Sequence, residues 1–174
     1  STLDFKPIND PFDEKADDLW LEVKNNVDFQ IAKDAKYLNW KFAQQPFTNY
    51  RKFYVYHKNI LQSILILRFG SNPEPNVGAI VEIITNNNSS QNLHKIVSFS
   101  LDIFEANNIK DIICLSTNEV LDKVMSTSGF IKTRKERIMS FFLDKEFNQI
   151  EFVKSKINLS FGDQDLDQYP KVRT

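Results

Sequence analysis

Apolar positions along this chain change period several times, and each change predicts an element. Leu3-Asp4-Phe5-Lys6-Pro7-Ile8 alternates like a short edge strand, the sheet position where a residue such as Pro7 is tolerated. From Asp13 to Val23 the period lengthens: Ala16, Leu19, Trp20 and Val23 fall on one stripe, with acidic residues in the first turn, which predicts a helix. Asp34 to Gln44 repeats that period through Ala35, Leu38 and Phe42, with Tyr37 beside them, and Pro46 ends it. Phe53 to His57 and Ile60 to Phe69 are aromatic and β-branched runs joined by Lys58-Asn59, the length of a tight hairpin turn. Gly78 to Thr85 follows a loop of Gly70, Pro73 and Pro75 and completes an antiparallel meander.

Past Thr85 the pattern becomes a crossover. A polar loop, Asn86-Asn87-Asn88-Ser89-Ser90-Gln91, contains no glycine; after it Leu93, Ile96, Val97, Ser100, Leu101 and Phe104 recur at helical spacing until Asn107-Asn108. Lys110 to Ser116 carries Ile112-Ile113-Cys114-Leu115, a run suited to a strand buried on both faces and parallel to its predecessor. Asn118 caps a short helix bearing Val120, Leu121, Val124 and Met125, and Gly129 stops it. Arg137 to Leu143 predicts a strand, Phe147 to Val153 a short helix, and Lys156 to Phe161 a strand that closes the sheet, ahead of a polar tail from Gly162 to Thr174.

Length and charge narrow the possibilities. A chain of 174 residues, 41% hydrophobic and 13% aromatic, suits a single domain with a full core. Lysine and arginine total 22 against 23 acidic residues, so no global field draws the chain to nucleic acid. The only cysteine, Cys114, has no mate, which favours a reducing, cytoplasmic setting. No apolar run approaches the ~20 residues of a transmembrane helix, and Ser1-Thr2-Leu3-Asp4 is unlike a signal peptide. The start without methionine suits either a domain excised from a longer protein or a chain cleaved from a tag.

Several residues are candidates for chemistry. Glu82 lies among apolar neighbours in Ala79-Ile80-Val81-Glu82-Ile83-Ile84, where burial would raise its pKa toward that of a general base; strand alternation could equally point it outward or pair it with a lysine. His57 reads as a solvated strand end and His94 as a surface helical position, and two isolated histidines do not make a zinc site. Asp163, Asp165 and Asp167 alternate like a calcium loop but lack its glycine and closing glutamate, leaving a solvated acidic tail as the simpler reading. Lys132, Arg134, Lys135 and Arg137 form a basic run that could meet phosphate groups, with an alternating edge strand as the commoner reading. Trp20, Tyr37, Trp40 and Phe42 suit a core or an acceptor pocket wall, and Cys114 suits packing.

The order of strand, two helices, meander, helix, strand, helix and further strands resembles the GNAT acetyltransferase superfamily over nearly the whole chain. Asn118-Glu119-Val120-Leu121-Asp122-Lys123-Val124-Met125-Ser126-Thr127-Ser128-Gly129-Phe130 resembles a motif of that superfamily: Asn118, Gly129 and Phe130 match, while Leu121, Val124 and Met125 replace its alanine, leucine and tyrosine. In many members that tyrosine protonates the departing coenzyme A thiolate. The resemblance implies an α/β (α+β) fold with a mixed, largely antiparallel central sheet and helices on both faces. It also implies an acyltransferase acting by direct transfer from acetyl-CoA or another acyl-CoA to an amine or hydroxyl. The strand edge Ile83, Ile84 and Thr85 would pair with the pantetheine arm, Asn87, Asn88, Ser89, Ser90, Gln91 and Asn118 would hold the cofactor's other end, and Glu82 would deprotonate a small-molecule acceptor.

A second resemblance covers Lys33-Asp34-Ala35-Lys36-Tyr37-Leu38-Asn39-Trp40-Lys41-Phe42 and Leu159-Ser160-Phe161-Gly162-Asp163-Gln164-Asp165. Both segments are similar to a divergent bacterial group of GNAT-like proteins, some associated with polysaccharide or lipid biosynthesis. With no glycine in the phosphate loop and Met125 at the tyrosine position, two alternatives stand beside the enzyme. One is a non-catalytic GNAT-like domain that binds a ligand or partner domain, and the other is the degenerate half of a tandem acyltransferase.

Overall fold

A computed structural model of the chain describes residues 2–46, 48–70, 75–132 and 156–163. Its centre is a five-stranded sheet in the order β1 (Asp4–Pro7), β3 (Asn49–His57), β4 (Ile60–Phe69), β5 (Val77–Thr85), β6 (Asp111–Cys114). The first four strands pair antiparallel and β6 pairs parallel with β5, giving the meander and crossover that the patterning predicts. Lys58 and Asn59 both take positive φ, 49° and 64°, which lets a two-residue turn follow the twist of β3 and β4.

Each sheet face has its own core. On one face α1 (Glu14–Val23) buries Ala16, Leu19 and Val23 beside Leu38, Ile64, Ile66 and Val81. Asp13 caps α1 and also accepts from the Tyr54 hydroxyl at 2.6 Å, tying the helix start to β3. On the other face α3 (Ser90–Ala106) and α4 (Glu119–Thr127) pack Leu93, Ile96, Val97, Phe104, Leu121 and Val124 against Val55, Leu65, Leu67 and Ile80. Gly78 permits this closeness: a Cβ there would lie 2.5 Å from Phe104 Cε1 and 2.9 Å from Ile109 Cγ2.

Three expectations need correction. The helix predicted over Asp34 to Gln44 is α2 (Ala35–Leu38) running into a π-helical turn, Asn39–Ala43, closed by Gln44 N donating to Asn39 O at 2.9 Å. The wider turn carries both Lys41 and Phe42 inward and leaves Trp40 56% exposed, so Trp40 is not core. The segment from Lys156 does not close the central sheet. Only β7 (Ile157–Asn158) is extended, and it pairs parallel with β2 (Phe29–Gln30), which the sequence reading missed, in a separate two-stranded sheet. Gly162 and Asp163, expected to begin a polar tail, lie in a 3-10 turn, Phe161–Asp163, with Phe161 and Gly162 buried. The physical reason is a buried counter-charge, described below, that holds Asp163 inside. The predicted strand Arg137 to Leu143, the helix Phe147 to Val153 and most of the tail lie outside the described residues.

Candidate functional site

β5 and β6 pair only as far as Ile80 and Cys114; β6 then ends while β5 continues to Thr85. Past that point the strands part, and a cleft of about 530 Å³ opens, within the ~300–1,000 Å³ usual for small-molecule sites. Ile83, Ile84 and Thr85 form one wall, Thr117 to Val120 at the start of α4 another. Trp20 and Val23 of α1, Gln30 of β2 and Lys156 to Asn158 around β7 complete it, with Lys33 and Glu82 also at its surface.

A β-bulge aims Glu82. Ile66 pairs with Glu82 while Leu67 pairs with Ile80, so Val81 is an extra residue. Strict alternation would send Glu82 to the face of Ile80, under α3 and α4. The bulge instead brings Glu82 to the side of Val81, so that both approach Gly162, whose Cβ would lie 3.1 Å from Val81 Cγ1 and 3.3 Å from Glu82 Oε2.

There Glu82 meets charge from two distant segments. Lys33 Nζ donates to Glu82 Oε2, to Asp163 Oδ1 at 2.5 Å and to Ser160 Oγ at 3.2 Å. Ser160 Oγ in turn donates to Glu82 Oε2 at 2.5 Å, and Ser160 N donates to Asp163 Oδ2 at 2.8 Å. All three charged side chains are about 3% exposed or less. An ammonium has three protons to donate, and Lys33 uses all of them. Asp163 engages both oxygens, whereas both bonds to Glu82 reach Oε2, and among the described residues Oε1 has no protein partner. Burial pushes the Glu82 carboxyl above the ordinary glutamate range, and the Asp163 charge adds to this against the pull of Lys33. Burial works to lower the Lys33 pKa, but the flanking carboxylates outweigh it and raise it.

The segment that delivers Ser160 and Asp163 straps across the cleft. Asp28 N donates to Lys156 O at 2.9 Å, Thr117 N to Leu159 O at 3.0 Å, and Ser160 bridges Ser116 antiparallel. It therefore joins β2, the end of β6 and the start of α4.

The loop after β5 lies between two helix N-termini. Ser89 caps α3 through Asn92 N, and Asn118 caps α4 through Val120 N and Leu121 N at 3.0 and 3.2 Å. The two ends are joined by Asn118 Nδ2 donating to Asn88 Oδ1 at 2.9 Å. Side chains do part of the work that glycines would leave to a ligand: Asn87 N donates to Thr85 Oγ1 at 3.1 Å and Ser89 N to Asn87 Oδ1 at 3.3 Å. Among the described residues the N–H groups of Asn88, Ser90 and Gln91 have no protein acceptor, so donors for an anion remain near the positive ends of both helices.

Among the residues singled out from sequence, Glu82, Ile83, Ile84, Thr85, Asn88 and Asn118 line the cleft. Asn87 and Ser89 turn to internal bonds, while Ser90 and Gln91 are exposed on the first turn of α3. Met125 is buried in the core that α3 and α4 share with the sheet and does not line the cleft. His94 lies 3.2 Å from Thr127 Oγ1 between α3 and α4, outside the cleft. Trp20 reaches the wall, Phe42 is core, and burial pushes the Cys114 thiol up to about 12. Lys33, Ser160 and Asp163 escaped the reading of candidate chemistry except for Asp163 in a rejected calcium loop. Their signal lay in the second resemblance, since Lys33 opens one of its segments and Ser160 and Asp163 belong to the other.

No protein-family model matches the chain, and no curated protein matches its sequence. Solved structures do resemble it. A probable acetyltransferase from Staphylococcus epidermidis is 14% identical with a TM-score of 0.57, over 74% of this chain and 83% of that one. A predicted acetyltransferase from Clostridium acetobutylicum, determined with acetyl-CoA, is 18% identical with a TM-score of 0.53, over 80% and 96%. An aminoglycoside acetyltransferase from an uncultured soil metagenomic sample, in complex with sisomicin, is 15% identical with a TM-score of 0.50, over 83% and 97%. At such identities the likeness establishes the fold: this chain has the GNAT-like architecture. No helix among the described residues is long and apolar enough to cross a membrane.

Proposed function

We propose that the chain is a GNAT-like acyltransferase domain that moves an acyl group from acetyl-CoA or another acyl-CoA directly to an amine or hydroxyl of a small-molecule acceptor. One observation carries this reading: Glu82, buried and drawn to the side of Lys33, keeps a carboxylate oxygen that no described residue engages at the point where β5 loses its partner strand. The open edge of Ile83 to Thr85 offers main-chain groups to the amides of a pantetheine arm, as an added strand would use them. Asn88, Asn118 and the N-termini of α3 and α4 supply donors for pyrophosphate. Glu82 Oε1 takes the proton from the acceptor as its nitrogen or oxygen attacks the thioester carbon. Met125 has no proton to give and is buried elsewhere, so the departing thiolate has no dedicated acid, and rate enhancement rests on positioning and desolvation.

A second reading, a non-catalytic binding domain of the same fold, draws support from the loop, where Thr85 and Asn87 already occupy two backbone donors. Calorimetric titration with coenzyme A separates the two. Saturable binding that weakens when Ser89 or Ser90 is replaced by a bulky residue supports the acyltransferase; absence of binding at millimolar ligand removes it.

A further inference from the structure

Resting on the assignment of Glu82 as base, we infer that Lys33 is a positioning residue: with Asp163 it anchors Glu82 Oε2 and thereby leaves Oε1 as the oxygen presented to the cleft. The anchor is itself anchored at both ends. Asp34, next to Lys33, accepts from Tyr37 N at 2.7 Å, and Ala35 N donates to Asp17 Oδ1 at 2.8 Å, so the backbone carrying Lys33 is fixed to α1 and α2. Asp163 is held by its backbone N–H, which donates to Ser160 O at 3.2 Å, and by Ser160 N on its carboxylate.

Stability alone is a poor reason for this arrangement. A buried ion pair is matched or bettered by packed apolar side chains of the same volume, and this one carries a second carboxylate, so the site holds a surplus negative charge. Lys33 Nζ donates to Glu82 Oε2 while its other protons hold it to Asp163 Oδ1 and Ser160 Oγ, and Ser160 Oγ adds a second bond to Oε2, so Glu82 is held through one oxygen at a fixed place, which a methionine in place of Lys33 could not do. Among the described residues the groups that act on Glu82 are Lys33 from the loop before α2 and Asp163 and Ser160 from the strap, while Cys114 of β6 lines a small recess with it and feels its charge. Lys33 favours the carboxylate and Asp163 opposes it, so removing each must move its titration in opposite directions.

The test is ¹³C NMR of side-chain carboxylates in the intact chain as a function of pH, with the Glu82 signal assigned by its loss in Glu82→Gln. Lys33→Met is expected to move the Glu82 midpoint upward and Asp163→Asn to move it downward, each by about one pH unit or more. Glu82 midpoints unmoved in both variants, whatever happens to the thermal midpoint of unfolding, would show that Lys33 and Asp163 do not hold its carboxylate, and that result overturns the inference. If Lys33→Met does not fold, the near-isosteric Asp163→Asn decides alone. Failure of coenzyme A to bind the unaltered chain would remove the acyltransferase reading without touching these midpoints, whereas unmoved midpoints with coenzyme A bound would remove only the role of Lys33.

Discussion

Lys33 and Asp163 stand 130 positions apart in the chain, and their side chains meet at 2.5 Å in a site where each is almost wholly buried. An ammonium shared by two carboxylates leaves both uncompensated when it is removed. Lys33→Met is therefore expected to cost about 3–5 kcal/mol in urea unfolding, and the triple variant with Glu82→Gln and Asp163→Asn to recover most of that loss. A triple variant no more stable than the single one would show that the apolar surroundings, not the charges, set the cost.

Alkaline pH should destabilise the fold through three groups that, among the described residues, lie inside the protein with pKa values raised in the native state. Cys114 rises from 9.0 to about 12, Tyr54 rises above 10.0 and Lys33 above 10.5. In each case the unfolded chain loses its proton first, so the native state holds more protons and stability falls as pH rises. The stabilisation is complete below the unfolded values and is lost from about pH 9 upward through the folded ones. Denaturant midpoints measured between pH 8 and 11, as round values about this window, should decline, and Cys114→Ala should flatten the lower part of the decline.

Gly78 and Gly129 should respond differently to alanine. At Gly78 the added methyl meets Phe104 and Ile109 within 3 Å, and overpacking of this kind costs about 1–3 kcal/mol. At Gly129 nothing lies within 4 Å, but φ is +94°, so the roughly 1 kcal/mol cost is conformational. Shortening Phe104 to leucine should relieve Gly78→Ala and leave Gly129→Ala unchanged, as read by thermal unfolding of the double variants.

Asn118 caps α4, and the cofactor contact proposed for it is separable from that duty. Asn118→Ala loses the bonds to Val120 N and Leu121 N and should cost about 1 kcal/mol of stability. Asn118→Asp keeps a capping oxygen but sets a negative charge where pyrophosphate would lie, so stability should hold while coenzyme A affinity falls about tenfold, or 1.4 kcal/mol. Equal affinity for Asn118→Asp and the unaltered chain would place the phosphate elsewhere.

The fold was legible because its signals are local. Alternation marked β1, β-branched runs marked β3 to β5, and the stripe of Leu93 to Phe104 marked α3. The π-helical turn was not, because Trp40 and Phe42 suit a helix of either pitch and only packing chooses between them. Glu82 stood out as a carboxylate in an apolar strand, and the lysine partner considered for it is Lys33. Nothing within either segment announces that Lys33, Glu82 and Asp163 meet, since their meeting depends on the bulge at Val81 and the course of the strap. A search for paired carboxylates fails where one partner sits in what reads as a solvated tail.

The strap also orders events in time. Residues 156–163 emerge from a ribosome after every element they dock on, and their contacts with β2 and Lys33 close loops of more than a hundred residues. Loop closure on that scale is slow to be rewarded and falls late in folding. Until then Glu82 of β5 and Lys33 of the loop before α2 lack Asp163 and Ser160, so the chain can be largely collapsed without the arrangement proposed to position the Glu82 carboxylate. Acquisition of the fold and assembly of the proposed site are thereby separate steps, and amide exchange should see the strap open as a unit while β3 to β5 stay protected.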